Sequence, residues 1–398
     1  MQKTTHASKE FIFLMAALMA TVALSLDAIL PALDVIGLAV GTTTAAQNQL
    51  LITLFFLGLG IGPLFFAPLS DSLGRKPVVY MGFAIFVLAS ILCVIAESLE
   101  LMLLGRILQG ISLSGPRTIS IAMIRDLYTG DYMARIMSFV SVVFILIPVI
   151  APALGKLMLD WMGWEAIFYM QVFFVVLVCW WFWKRQPETL ASQNKTVFKR
   201  KVFVSSCIEL FNYPKTMLFT LIWGLITGAF LVYLSTAQQI FQEQYHFKEA
   251  FPYIFAGLAI MVGISTLLNG TLVLRFGTLK LVRCALLAFT LISFCYVVLF
   301  SSGTNPPFVI AMVFFALQFL TVGFLFGNIR SLAMEPVGHI AGMGAAVTGS
   351  IATVIGVPIS AYIGQYVTTT VLPMFLGFLI CGLISLGILG LYYLKKNV

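Results

Sequence analysis

About twelve apolar runs of about twenty residues each follow one another along this chain, parted by short polar or charged breaks. A helical run of that length matches the hydrocarbon thickness of a bilayer. In lipid each backbone N–H and C=O must find its partner within the protein, which favours helices and excludes open sheets. The 398 residues are 61% hydrophobic and 10% charged, against roughly 25% charged in soluble domains. The chain is therefore predicted to be an all-α integral membrane protein. Its spans are expected near 11–32, 48–69, 78–96, 99–124, 134–157 and 164–184, then near 214–237, 251–274, 281–301, 307–333, 343–366 and 371–394. Six plus six implies two six-helix bundles, 1–184 and 214–398, joined by a basic linker at 185–213. The charges of that linker, Lys195, Lys199, Arg200 and Lys201 among them, also suit a segment lying on anionic lipid.

Orientation follows from the basic residues, because cytoplasmic loops retain Lys and Arg near span ends. Arg75 and Lys76, Arg125 and Arg135, the linker, Arg275 with Lys280 and Arg283, Arg330, and Lys395 with Lys396 all fall on one side. Asp34, Glu97, Glu100, Asp160, Glu165, Glu243 and Glu249 fall on the other, where Lys156 and Lys248 are the basic exceptions. Both termini are predicted cytoplasmic, and the formal charge of +8 reflects topology and not nucleic-acid binding. The first run exceeds a signal-peptide core and contains Asp27, so it is read as the first span. Six scattered cysteines and three histidines outside the spans provide no metal-ligand spacing, no catalytic triad and no cofactor box. No GxxxxGK[ST] run is present, so direct ATP coupling is not expected.

Charges inside spans are costly and mark function by default. Three stand out. Asp27 lies in the outer part of the first span, Arg106 in the outer part of the fourth, and Arg117 three turns further along the fourth. Counting from the outer ends puts Asp27 and Arg106 at similar depth, so a carboxylate and a guanidinium are expected to meet, as a proton-exchanging site or a static pair. Gln109 shares the helix face of Arg106. Arg117 suits an anionic group of a substrate or a structural pair.

Residues 67–77 read Ala-Pro-Leu-Ser-Asp-Ser-Leu-Gly-Arg-Lys-Pro between two apolar runs. This loop resembles the one between the second and third helices of the major facilitator superfamily, matching at Asp71, Gly74, Arg75 and Lys76 and departing at Ala67 and Ser72. Leu-Leu-Gly-Arg-Ile-Leu-Gln-Gly at 103–110 resembles the fourth-helix motif of proton antiporters, and 24–33, with Asp27, resembles the first helix of Bcr/CflA-type drug:proton antiporters. Residues 147–155 resemble the fifth-helix antiporter motif in worn form: Pro152 and Gly155 fit, while Ala151 and Lys156 replace glycines. After the eighth span only Arg275-Phe276-Gly277 survives of the loop motif.

The resemblance implies a monomeric multidrug efflux transporter of the bacterial cytoplasmic (inner) membrane, exchanging protons for a small amphipathic substrate. Asp27 and Arg106 would carry the proton coupling. Asp71, Gly74, Arg75, Lys76, Arg125, Pro152 and Gly155 would serve gating, with Asp71 pairing both with a helix N-terminus of the other half and with Arg125. Candidates to line the cavity are Asp27, Arg106, Gln109, Arg117, Phe55 and Phe144 in the first half, and Tyr233, Gln238, Asn269, Gln318 and Asn328 in the second. A proton-coupled importer or facilitator of a nutrient or siderophore would share the fold. A membrane enzyme or receptor would need a nucleophile, metal set or sensing domain that the sequence does not display.

Overall fold

The computed structural model describes residues 8–195 and 207–396, and every regular element among them is helical. The first half contains α1 (Lys9–Asp27), α2 (Leu33–Ala39), α3 (Ala45–Ile61), α4 (Pro63–Leu73), α5 (Arg75–Val94), α6 (Leu99–Leu127), α7 (Gly130–Met162) and α8 (Glu165–Arg185). The second contains α9 (Pro214–Gln238), α10 (Phe251–Phe276), α11 (Thr278–Leu299), α12 (Phe308–Met334), α13 (Ala341–Gly364) and α14 (Leu372–Lys396). Among the described residues ten stretches are long and apolar enough to cross a membrane, α1 with α2 forming one and α3 with α4 another. The helices α6 and α7, of 29 and 33 residues, are long enough but stand outside those ten. In α6 the apolar character is diluted by Glu100, Arg106, Arg117, Arg125 and Asp126.

Local chemistry fixes where these helices start and break. Ser8 caps α1, its hydroxyl accepting from Phe11 N at 3.0 Å, and Ser98 does the same for α6. Pro31 has no N–H and restricts its predecessor, so the first span breaks into a 3₁₀ turn at Leu30–Ala32 just after Asp27. The sequence reading had one unbroken helix there. Pro63 opens α4 behind Gly62 and divides the second span. Beyond its last α-helical turn α9 continues as a π-helix, Gln239–Gln244, whose glutamines donate to the carbonyls of Val367 and Thr368.

The chain gathers into two compact units, Met1–Thr43 with Leu54–Val204, and Thr44–Thr53 with Ser205–Val398. Within the first, α5 packs on α6 and α1 packs on α6, α7 and α8. Within the second, α9 packs on α12, α13 and α14, and α11 packs on α12 and α14. Residues 44–53, the opening turns of α3, belong to the second unit although chain order places them in the first half. The segment after α8 belongs to the first unit, so the front of the expected linker is packed structure.

Candidate functional site

In the first unit the break after α1 leaves the helix's terminal carbonyls in need of donors. Ser25 carbonyl accepts from Arg106 Nη1 at 3.3 Å and from Gln171 Nε2 of α8 at 3.5 Å. The same Nη1 donates to Gln109 Oε1 at 2.6 Å, and Gln109 Nε2 donates to Ser90 Oγ at 2.7 Å on α5. The guanidinium also lies 4.5 Å from the Phe55 ring centroid, a cation–π contact. Arg106 is fully buried, so each of these contacts offsets desolvation.

Asp27 is buried at 3% exposure, and no hydrogen bond or ion pair reaches its carboxyl among the described residues. The expected pairing with Arg106 does not form. Equal depth along two helices does not fix the direction of either side chain, and Arg106 turns to Ser25, Gln109 and Phe55. Beside Asp27, Gly155 of α7 presses against α1 so closely that an added Cβ would overlap the carbonyl oxygen of Ala28. Pro152 lies one turn before it in an α7 that stays helical through Pro148 and Pro152. Arg117 is half-buried in the inner part of α6, directly after Pro116. The side chain of Phe144 lies outside the described residues.

The second-half candidates occupy two kinds of surroundings. Gln318 is fully buried and joins α12 to α11, donating to Ser293 Oγ at 3.1 Å and Phe289 carbonyl at 3.3 Å. Asn269 of α10 and Asn328 of α12 form a reciprocal amide pair at 3.3 and 2.6 Å. Gln238 donates to Gln242 one turn on. Tyr233 sits in an aromatic cluster, stacked on Phe255 and edge-on to Phe319 at 4.5 Å.

The loop motif builds a charge cluster at the other end of the first unit. Gly74 has φ +112°, a conformation suited to glycine, and a Cβ there would meet Glu188 Oε2 at 2.7 Å. Arg75 lies buried between two carboxylates: it pairs with Asp71 and, through Nε at 2.9 Å and Nη2 at 3.3 Å, with Asp126. Its Nη1 also donates to Ser70 Oγ at 2.7 Å. Asp71 thus takes Arg75 as its partner within this unit, and not Arg125. Arg125 is exposed in the last turn of α6, where the negative helix end favours a cation.

Helix α5 opens with two cations, Arg75 and Lys76, at its positive end, an unfavourable arrangement that calls for an anion. Glu188 supplies it. Its Oε1 accepts from Arg75 N at 3.1 Å, Thr189 N at 2.9 Å and Leu190 N at 2.9 Å, and its Oε2 from Lys76 N at 3.0 Å. Partial burial alone would raise this carboxyl; the N–H groups of Leu190, Lys76, Arg75 and Thr189 outweigh that and hold it below its ordinary value. Thr189 Oγ1 closes the cluster on Asp126 at 3.0 Å. Sequence reading missed Glu188, Ser90 and Gln171; only Glu188 left a signal, an acid in a basic stretch soon after a span.

A helical membrane protein in two compact units, with a buried carboxyl in one of them, has the build of a solute transporter. The chain belongs to the Major Facilitator Superfamily, whose family model matches residues 12–357. It is 24% identical over 364 residues to a bicyclomycin resistance protein homolog of Haemophilus influenzae, covering 88% of this chain and 87% of that one. It is 26% identical over 347 residues to the multidrug resistance protein MdtL of Citrobacter koseri, covering 86% of each. Among solved structures, a D-xylose–proton symporter superposes with TM-score 0.75 at 14% identity, over 96% of this chain and 97% of that one, which shows the fold. The resemblance read from the loop and helix motifs is borne out at the level of the family.

Proposed function

We propose that the chain is a proton-coupled exporter of amphipathic small molecules, working by alternating access as a monomer in the bacterial inner membrane. In this reading α6 and α7 complete twelve spans and both termini are cytoplasmic. The observation that carries it is Asp27: a buried carboxyl without a fixed counter-ion changes charge without breaking an ion pair, so proton and substrate can compete for it. Arg106 holds the neighbouring end of α1 through Ser25, and Gly155 lets α7 follow that end closely. The Asp71–Arg75–Asp126–Glu188 cluster, with Gly74 and Lys76, acts as an inner gate element; Arg125 flanks it. Substrate contacts are assigned to Tyr233 and its aromatic neighbours, with Arg117, Phe144 and Gln238, while Gln109 and Gln318 act through the helices they join. The names of the resistance relatives support export of drug-like compounds.

The test uses inverted vesicles with an acidic interior, challenged with cationic and neutral amphipathic drugs. Substrate-evoked proton release in wild type, lost in Asp27→Asn, is the expected result. Release that survives Asp27→Asn removes the proton role from that residue, and accumulation of substrate along the proton gradient in place of exchange replaces export with import.

A further inference from the structure

A groove of about 420 Å³ runs between α11 and α14, lined by Arg283, Leu287, Leu386, Leu389, Gly390 and Tyr393. It opens on the outside of the second unit, where Leu287 and Gly390 are exposed. We propose that it binds one anionic diacyl phospholipid. Leu287, Leu386 and Leu389 supply an apolar wall for an acyl chain. Gly390 leaves room along the floor, since an added Cβ there would meet nothing within 4 Å.

Charge selects the headgroup. The guanidinium of Arg283 lies 5.7 Å from the Tyr393 ring centroid, which holds it at the rim by cation–π contact. From there its planar fork suits the two free oxygens of a phosphodiester. Lys280 precedes it by less than a turn, and neither α11 nor α14 contains an Asp or Glu to neutralise either cation.

The internal repeat supplies a comparison. A second groove of about 620 Å³ lies between α5 and α8, with Tyr80, Phe83, Val87, Val175, Cys179 and Trp180 among its walls. Tyr80 and Arg283 each follow the first residue of their helix by 5 positions. The rim cations differ: Arg185 is paired with Glu10 at 3.1 Å, and Lys184 lies over Trp180 at 5.2 Å. Related shape with a tyrosine at the arginine's place is expected to take lipid without preferring negative charge.

The test is mass spectrometry of the intact, detergent-purified full chain titrated with phosphatidylglycerol and phosphatidylcholine of identical acyl chains. Wild type should retain one phosphatidylglycerol in preference to phosphatidylcholine. Arg283→Gln should lose about fivefold of that preference, the worth of one cation at a membrane surface. Lys184→Gln should leave it unchanged, and Gly390→Leu should block the retained lipid while keeping the charge. Equal retention of both lipids by wild type overturns the proposal, as does undiminished preference in Arg283→Gln. If Arg283→Gln does not fold, judged by its melting in detergent, Gly390→Leu decides: an unchanged lipid adduct then overturns the site.

Discussion

Gln109 donates to Ser90 at 2.7 Å in the first unit, and Gln318 donates to Ser293 at 3.1 Å in the second. The serines each follow the first residue of their helix by 15 positions, and the glutamines by 10. Each serine also returns its hydroxyl to a phenylalanine carbonyl at 2.8 Å, Phe86 in one unit and Phe289 in the other. One turn before the glutamines the units part. The first buries Arg106, and the matching position of the second is Phe315, packed against Tyr233, Phe241 and Phe375. A shared interhelical bond has been kept in both repeats, while only one of them holds a charge inside it. The second repeat keeps the scaffold and fills the same place with rings.

The comparison breaks most sharply if the two positions are exchangeable. Phe315→Arg would put a guanidinium among aromatic rings with Gln318 Oε1, three residues on, as its nearby acceptor, too little to offset the burial of a charge, a cost of several kcal/mol, and we expect no folded protein by melting in detergent. Folded, active Phe315→Arg would show that the units do not differ in the way described. Arg106→Leu strands Gln109 Oε1, about 1–3 kcal/mol, leaves Ser25 carbonyl with only the long bond from Gln171 Nε2, and should end transport in vesicles; Phe315→Leu should cost only about 1 kcal/mol of stability and leave transport measurable.

Gly155→Ala forces α7 off α1 beside Asp27 and should cost about 1–3 kcal/mol, with transport falling further than the loss of folded protein explains. The matched pair Gln109→Leu and Gln318→Leu sharpens the contrast. Each should lose about 1 kcal/mol by melting, yet only Gln109→Leu should also reduce transport, because only that glutamine holds an arginine.

The smallest effect is expected at Glu188. Its carboxyl is held below its ordinary value, so its contribution is complete above the ordinary carboxylate range and fades as pH falls through the depressed folded value. Hydrogen exchange at the backbone of Arg75, Lys76, Thr189 and Leu190 should rise in that acid window. In Glu188→Gln the same amides should exchange faster already at neutral pH, without an acid step; an acid step that persists would assign the protection to another group.

The succession of long apolar helices, the burial of Asp27 and Arg106 and the turn at Gly74 were legible because length in lipid and charge in lipid are both read along the chain. The missing ion pair was not, because depth is a one-dimensional count and pairing needs azimuth and side-chain direction. Ser90 and Ser293 leave no trace in apolar helices, where a lone serine can equally bond its own preceding turn. Glu188 lay in a stretch dominated by basic residues, and its partners are 112 and 113 positions away. The order of helices predicted six plus six, but order alone could not reveal that residues 44–53 belong with the second unit.

That last assignment bears on how the chain is made. Gln49 enters the membrane early, yet its amide partner Gln239, at 2.8 Å, lies 190 residues further on. At about 5–20 residues per second of synthesis, the wait is on the order of 10–40 s. Over that interval the side-chain amide of Gln49 must rely on water, lipid headgroups or the insertion machinery. The second unit is therefore completed by a piece the ribosome delivered long before, and a second-half fragment cut at the linker would emerge without it.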